Sequence, residues 1–175
     1  HVRVESIDQL HEDLCALLDN LGFQTVDYLG HSTGGNIGQI MAIETPERLH
    51  KLIIYASTTH GDAYRAKVWK VRRSILENQG VELYGDMTSL MLYPPDWISA
   101  NAALLEQQQA AQVAMLASAE VMASRIEAVQ AYDRRDQLAQ IDTSTLVVCA
   151  RDDNQTPHYF SEALAAGIRT AELRS

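Results

Sequence analysis

Residues 25–35, TVDYLGHSTGG, place a short β-rich segment directly before a turn that is rich in glycine. The part over 25–30 predicts a buried strand, since its composition suits a sheet and glycine ends it. NIGQIMAIETP follows over 36–46 and predicts an apolar helix that Pro46 closes. This stretch therefore predicts a strand, a tight turn and a helix in immediate succession.

The segments on either side extend the same alternation. Upstream, Ser6 and Gln9 have the spacing of a capping box, leucines then repeat at helical spacing, and Gly22 stands where a helix ends. Downstream, KLIIYAS over 51–57 predicts a second strand. An order of helix, strand, turn, helix and strand favours a parallel α/β sheet with crossover connections.

The middle of the chain, residues 61–141, is rich in Ala and Gln and has helical periodicity without a strong strand. We expect a break at Pro94 and Pro95, because consecutive prolines cannot continue a helix, and one long helix after it. We interpret this region, called the helical insertion below, as an insertion into the sheet rather than a separate domain.

The last part of the chain, residues 142–175, returns to the sheet. DTSTLVVCA over 142–150 predicts a strand, residues 158–168 a helix, and AELR over 171–174 one more strand. Together with residues 1–60 this part forms the core. We therefore expect a single, incomplete α/β domain over the whole chain.

The turn GHSTGG carries the pattern G-x-S-x-G between a strand and a helix, which is the context of a nucleophile elbow. Ser32 is the candidate nucleophile, and Gly30 and Gly34 are expected to remove side chains that would clash in a strained turn. The backbone N–H of Thr33, at the start of the helix, is the candidate oxyanion donor. His31 flanks the serine, where we expect it to pack and shape the site.

A second polar loop, RDDNQTP, follows the strand that ends at Ala150. Asp152 and Asp153 are both candidates for the acid that orients a catalytic base. With both loops in this order the chain resembles the α/β-hydrolase superfamily, whose acid loop commonly reads G-x-x-D-x-x-x-P. That resemblance selects Asp153, because Ala150 and Pro157 occupy the flanking positions. It implies a partial α/β-hydrolase fold, a mostly parallel sheet with helices on both faces and an inserted helical lid.

The segment LMLYPPDWISANAALLE over 90–106 and TLVVCARDD over 145–153 resemble the pyrimidine-utilisation hydrolases of the RutD type. The resemblance implies hydrolysis of aminoacrylate or carbamate in pyrimidine degradation. Enol-lactone hydrolases and small carboxylesterases share the core and remain alternatives. Met91, Tyr93 and Trp97 are candidates for shaping the pocket.

The family's catalytic histidine follows the acid after one more strand, and no histidine of this chain stands there. His158 begins the helix beyond the acid loop, while His11, His50 and His60 are expected at the surface or at edges. The strands and the loop that supply a second oxyanion donor are also expected to be missing. The chain is therefore predicted to be the central fragment of a longer hydrolase, with little activity alone. A non-catalytic, hydrolase-like binding module is the alternative.

The amino-acid composition of the chain limits the classes of binding partner that we expect. The net charge is −9 and Lys and Arg do not cluster, so a nucleic-acid partner is not expected. Two distant cysteines, Cys15 and Cys149, predict buried thiols and a reducing, cytoplasmic compartment. No segment predicts a membrane span, and the chemistry requires neither metal nor organic cofactor. A small-molecule substrate is expected, and exposed sheet edges allow a homo-oligomer.

Overall fold

The computed structural model describes residues 2–115 and 117–175. None of the helices in these ranges combines the length and apolar character needed to cross a bilayer. Two 3-10 turns lie at Pro46–Arg48 and Arg135–Gln140. The helices and strands, in chain order, are α1 Ile7–Leu21, β1 Val26–His31, α2 Thr33–Glu44, β2 Leu49–Tyr55, α3 Ala63–Asn78, α4 Val81–Leu92, α5 Pro95–Ala100, α6 Ala102–Met115, α7 Ala119–Ala131, β3 Thr145–Val148, α8 His158–Gly167 and β4 Ala171–Arg174.

The four strands form one sheet in the order β1-β2-β3-β4, and every neighbouring pair is parallel. The predicted parallel α/β sheet is confirmed. Helices α3 to α7 all lie in the chain between β2 and β3. Because the strands are parallel, the turn after β1 and the loop after β3 lie at the same edge of the sheet.

The start of α1 follows the predicted capping pattern. The Ser6 hydroxyl accepts a hydrogen bond from the Gln9 N–H at 3.0 Å, and the Gln9 side chain accepts one from the Glu5 N–H at 2.9 Å. Gly22 ends the helix in the left-handed region with φ 77°. Both ends of α1 are thus set by local residues, as the sequence predicted.

Two helix boundaries differ from the predictions. Helix α2 begins at Thr33 rather than near residue 36, because the turn consists of Ser32 alone and the helix follows at once. The prediction of a single long helix after Pro95 is wrong, because Asn101 separates two helices, α5 and α6. The Asn101 side chain donates to the Trp97 carbonyl at 2.9 Å and so competes with helix continuation.

One face of the sheet forms the main hydrophobic core. Leu52, Ile54 and Val147 point from the strands toward Met41 of α2 and Leu164 of α8, and all five are buried. The alternate residues point to the other face, where Leu29 is 62% exposed. The alternation of side chains along each strand therefore decides which apolar residues pack against the helices.

We predict that Leu52→Ala lowers the free energy of unfolding by about 2–5 kcal/mol, because it leaves a cavity under α2. Leu29→Ala, on the neighbouring strand but on the exposed face, is the matched control. It is expected to change the free energy of unfolding by no more than about 0.5 kcal/mol. Urea denaturation of both variants measures the difference, and equal losses would contradict this assignment of the two faces.

Candidate active site

Ser32 occupies the strained turn that a nucleophile elbow requires. Its backbone has φ 53° and ψ −118°, a positive φ that residues other than glycine rarely adopt. Its N–H donates to the Tyr55 carbonyl at 2.9 Å, and its carbonyl accepts from the Gly35 N–H at 2.9 Å and the Ser57 hydroxyl at 2.7 Å. The turn is therefore held from both β2 and α2.

The steric need for glycine in this turn differs from the prediction. A Cβ at Gly30 would lie 2.3 Å from the Gly34 carbonyl oxygen, so that glycine is required. A Cβ at Gly34 would meet only the Tyr28 hydroxyl at 3.6 Å, an ordinary contact, and its predicted role in relieving a clash is wrong. Gly35 has that role instead, because a Cβ there would lie 2.5 Å from the Ser57 Cβ.

The start of α2 offers backbone N–H groups beside the serine. Thr33 is the first residue of the helix, so its N–H has no carbonyl one turn earlier in the helix to donate to. The Ser32 side chain makes no capping hydrogen bond to α2. Ser32 therefore directly precedes the positive end of α2 in the chain.

Of the two loop acids, Asp153 is the one bound by hydrogen bonds from the loop itself. Its Oδ1 accepts from the N–H groups of Gln155 and Thr156, each at 2.7 Å, and its Oδ2 accepts from the Thr156 hydroxyl at 2.8 Å. Asp152 is exposed. The carboxylate of Asp153 is therefore held in one orientation by three donors, while Asp152 faces solvent.

A cavity of about 390 Å³ lies at this edge of the sheet. Met91 and Tyr93 lie in its lining, whereas Trp97 does not line it and stacks on Tyr93 at 4.5 Å between ring centroids. The lining includes His31, which packs on the Tyr55 ring at 5.1 Å, but not Ser32 itself. The complete lining is His31, Tyr55, Ala56, Leu90, Met91, Leu92, Tyr93, Pro94, Pro95, Ala150, Asp152, Asp153 and Asn154.

No histidine among the described residues is hydrogen-bonded to Ser32 or Asp153, and His1 lies outside those residues. The prediction that His11 is exposed is wrong: it is buried, because α1 packs on α2. Contacts of the described histidines include His11 Nε2 with the Thr45 hydroxyl at 3.0 Å, His31 with the Tyr55 ring, His50 Nδ1 with Asp27 at 3.0 Å, His60 Nδ1 with the Thr59 hydroxyl at 2.8 Å, and His158 Nδ1 with Glu162 at 3.3 Å.

A buried polar network supports the elbow and was not predicted. Asn36 and Gln39 of α2 both donate to the Thr58 carbonyl, at 2.6 and 3.1 Å, and Gln39 also donates to the Gly35 carbonyl at 3.1 Å. The Tyr132 hydroxyl donates to the Gln39 side chain at 3.1 Å, and burial raises the pKa of Tyr132. The sequence signal available for this network was a pair of polar residues, Asn36 and Gln39, three positions apart in an otherwise apolar helix.

Residues able to hold a metal do not converge in the described part of the chain. No group of three or more His, Cys, Asp or Glu side chains lies close enough together there. Cys149 is buried as expected, but Cys15 is only half-buried, with its sulfur 3.3 Å from His11 Nε2. Both cysteines are free thiols.

The arrangement of elbow, acid loop and helical insertion agrees with the chain's similarity to known proteins. The Hydrolase_4 family, described as serine aminopeptidase S33, matches residues 1–174. The chain belongs to this family. A relative from Azorhizobium caulinodans, assigned as carbamate hydrolase RutD, is 38% identical over 96% of this chain.

Solved structures confirm the α/β-hydrolase fold. An α/β-hydrolase enzyme from a Medee basin deep-sea metagenome library covers 99% of this chain with a TM-score of 0.88 and 18% identity. The enol-lactonase of Burkholderia xenovorans LB400 covers 96% with a TM-score of 0.86 and 23% identity. The chain spans 63% of the length of the RutD relative and 65% and 63% of these two structures.

We predict that Gly35→Ala lowers the free energy of unfolding by about 1–3 kcal/mol, because the new methyl group would overlap Ser57. Gly34→Ala is the matched control on the adjacent residue of the same helix. There the free energy of unfolding is expected to stay the same or rise by up to about 1 kcal/mol, since alanine favours a helix over glycine. Thermal and urea unfolding compare the two, and a larger loss for Gly34→Ala would contradict the steric argument.

Proposed function

We propose that the natural protein containing this chain is a serine hydrolase that transfers an acyl or carbamoyl group of a small substrate to water. Ser32 is the nucleophile, Asp153 the orienting acid and the Thr33 N–H one oxyanion donor. The observation that carries the proposal is the strained backbone of Ser32 between a strand and a helix. A binding module has no need for such a strained serine, which argues against the non-catalytic alternative.

In the proposed reaction the Ser32 oxygen attacks the carbonyl carbon while its proton passes to a general base. Negative charge develops on the carbonyl oxygen, where the Thr33 N–H and the positive end of α2 stabilise it. The bond to the leaving group then breaks, and the leaving group takes up the proton. Water finally attacks the acyl- or carbamoyl-serine and restores the hydroxyl.

The base in this scheme is a histidine oriented by Asp153, and none of the described histidines is hydrogen-bonded to Ser32 or Asp153. We therefore propose that this histidine lies outside the part of the chain that the structure describes. Three donors hold the Asp153 carboxylate in the orientation proposed to meet such a partner. Alone, the chain is proposed to have little hydrolase activity.

The substrate is proposed to be a small carbamate or aminoacrylate of pyrimidine degradation. The support is the RutD assignment of the relative from Azorhizobium caulinodans and a cavity of about 390 Å³. The helical insertion, residues 61–141, acts as a lid in this proposal, since Met91 and Tyr93 close one side of the cavity. The enol-lactonase shares the fold, and a serine nucleophile is also able to open a lactone. Lactones and simple esters therefore belong in the substrate screen.

We predict that Ser32→Ala abolishes turnover of the preferred substrate by the natural protein, and that Asp153→Asn lowers kcat by about 10³- to 10⁴-fold. Asp152→Asn is the comparison and should keep kcat within about threefold, because Asp152 is exposed at the cavity and the three loop donors all bind Asp153 instead. Steady-state kinetics on a panel of short carbamates, enamines, lactones and p-nitrophenyl esters provides the measurement. A larger loss for Asp152→Asn than for Asp153→Asn would reverse the assignment of the acid.

The 175-residue chain itself is predicted to give no burst of p-nitrophenol with p-nitrophenyl acetate, because none of the described histidines is hydrogen-bonded to Ser32. Mass spectrometry of the chain after the reaction should show no acetylated Ser32. The natural protein is the positive control and should show both the burst and the adduct. A stoichiometric burst from the chain alone would refute its proposed inactivity.

A further inference from the structure

The first turn of α3 is joined to the acid loop by two hydrogen bonds. The Tyr64 hydroxyl donates to the Asn154 carbonyl at 2.6 Å, and the Arg65 guanidinium donates to the Gln155 carbonyl. In each pair the partners are 90 residues apart in the chain. The helical insertion therefore reaches the loop that carries Asp153 by direct contact.

These two carbonyls belong to the peptide units that bind Asp153. The carbonyl of Asn154 and the N–H of Gln155 are the two ends of one planar peptide, and that N–H donates to Asp153 Oδ1. The carbonyl of Gln155 and the N–H of Thr156 are the ends of the next peptide, and that N–H donates to the same oxygen. Each peptide is thus held at its oxygen by α3 while its N–H holds the acid.

Planarity makes this arrangement effective. Because the carbonyl and N–H of a trans peptide point in opposite directions, fixing the oxygen fixes the direction of the N–H. A hydrogen bond accepted by the carbonyl also polarises the peptide and strengthens the bond that its N–H donates. Tyr64 and Arg65 therefore control both the orientation and the strength of the two backbone donors to Asp153.

Arg65 is itself rigidly placed. Only 3% of it is exposed, and its guanidinium lies 4.9 Å from the centre of the Trp69 ring. Burial, followed by the charge of Arg72, lowers the pKa of Arg65 to about 10, while Asp153 and Asp62 act in the opposite direction. The guanidinium remains charged at neutral pH, so the peptide oxygen receives a charge-assisted bond.

The same turn of α3 is anchored to the helix that follows the acid loop. Asp62 accepts from the Arg65 N–H at 2.8 Å and from the Tyr159 hydroxyl of α8 at 2.6 Å. Burial and the hydrogen bond to Asp62 raise the pKa of Tyr159 to about 12, so this hydroxyl stays a donor at neutral pH. The acid loop is consequently held by α3 on one side and by its own continuation into α8 on the other.

We propose that Tyr64 and Arg65 are positioning residues for Asp153, and that they make the geometry of the acid depend on the docking of the helical insertion. The inference rests on the proposed function only in treating Asp153 as the catalytic acid. The hydrogen-bond arrangement itself predicts a pairing: Tyr64 governs the Gln155 amide and Arg65 governs the Thr156 amide.

Amide hydrogen exchange of the natural protein, followed by NMR, tests this pairing. Tyr64→Phe removes one donor from a half-exposed position and should speed exchange of the Gln155 amide about three- to tenfold, with a smaller effect on Thr156. Arg65→Met should show the reverse preference, and Arg65→Lys, which keeps a charged donor, should restore part of the protection at Thr156. Arg73→Met, on the same helix, is the control and should change neither amide, because the half-buried Arg73 side chain pairs with Glu77 and Glu127 rather than with the acid loop.

Equal changes at both amides in all variants, or none in either, would overturn the proposal. If Arg65→Met does not fold, the Tyr64→Phe result decides alone. Kinetics adds a second criterion, because both variants should lower kcat with KM changed less than about twofold, as expected when transition-state interactions alone are lost. An inactive wild-type protein, or an active Asp153→Asn variant, would refute the proposed function without altering the exchange result.

Discussion

The close approach of α2 to the ends of β1 and β2 is the constraint on which the site depends. Gly30 and Gly35 permit this approach, because a Cβ at either position would lie within 2.6 Å of the neighbouring backbone or of Ser57. With the two elements so close, the connection between them has room for one residue, and Ser32 takes a positive φ to make it. Hydrogen bonds to the N–H and the carbonyl of Ser32, from β2, from the residue Ser57 after it and from α2, hold this strained backbone in place.

The acid loop follows a different principle. Asp153 lies in ordinary loop backbone, and its orientation comes from three donors within its own next three residues. Those donors are in turn held by Tyr64 and Arg65 of α3. The helical insertion therefore has two connections to the site: Met91 and Tyr93 line the cavity, and the first turn of α3 reaches the acid loop from behind.

Much of the fold could be predicted because the responsible signals are local. The caps of α1, the short strand segment of β2 and the order of elements depend on residues close together in the sequence. The errors arose where a local rule competed with packing. The G-x-S-x-G spacing predicted that Gly34 relieves a clash, whereas the residue that lies against Ser57 is Gly35. His11 is polar and was expected outside, yet α1 buries it against Thr45 at the end of α2.

The sequence by itself determined the strand, turn and helix around Ser32 and the sheet that carries them. These follow from periodicity, turn residues and spacing, which act over short stretches of chain. Only the tertiary structure decided which glycine is required, which polar groups of α2 are buried together, and that Tyr64 and Arg65 hold the peptides behind Asp153. The physical reason is that these contacts join residues distant in the sequence, in some pairs by 90 positions or more, and only packing brings such residues together.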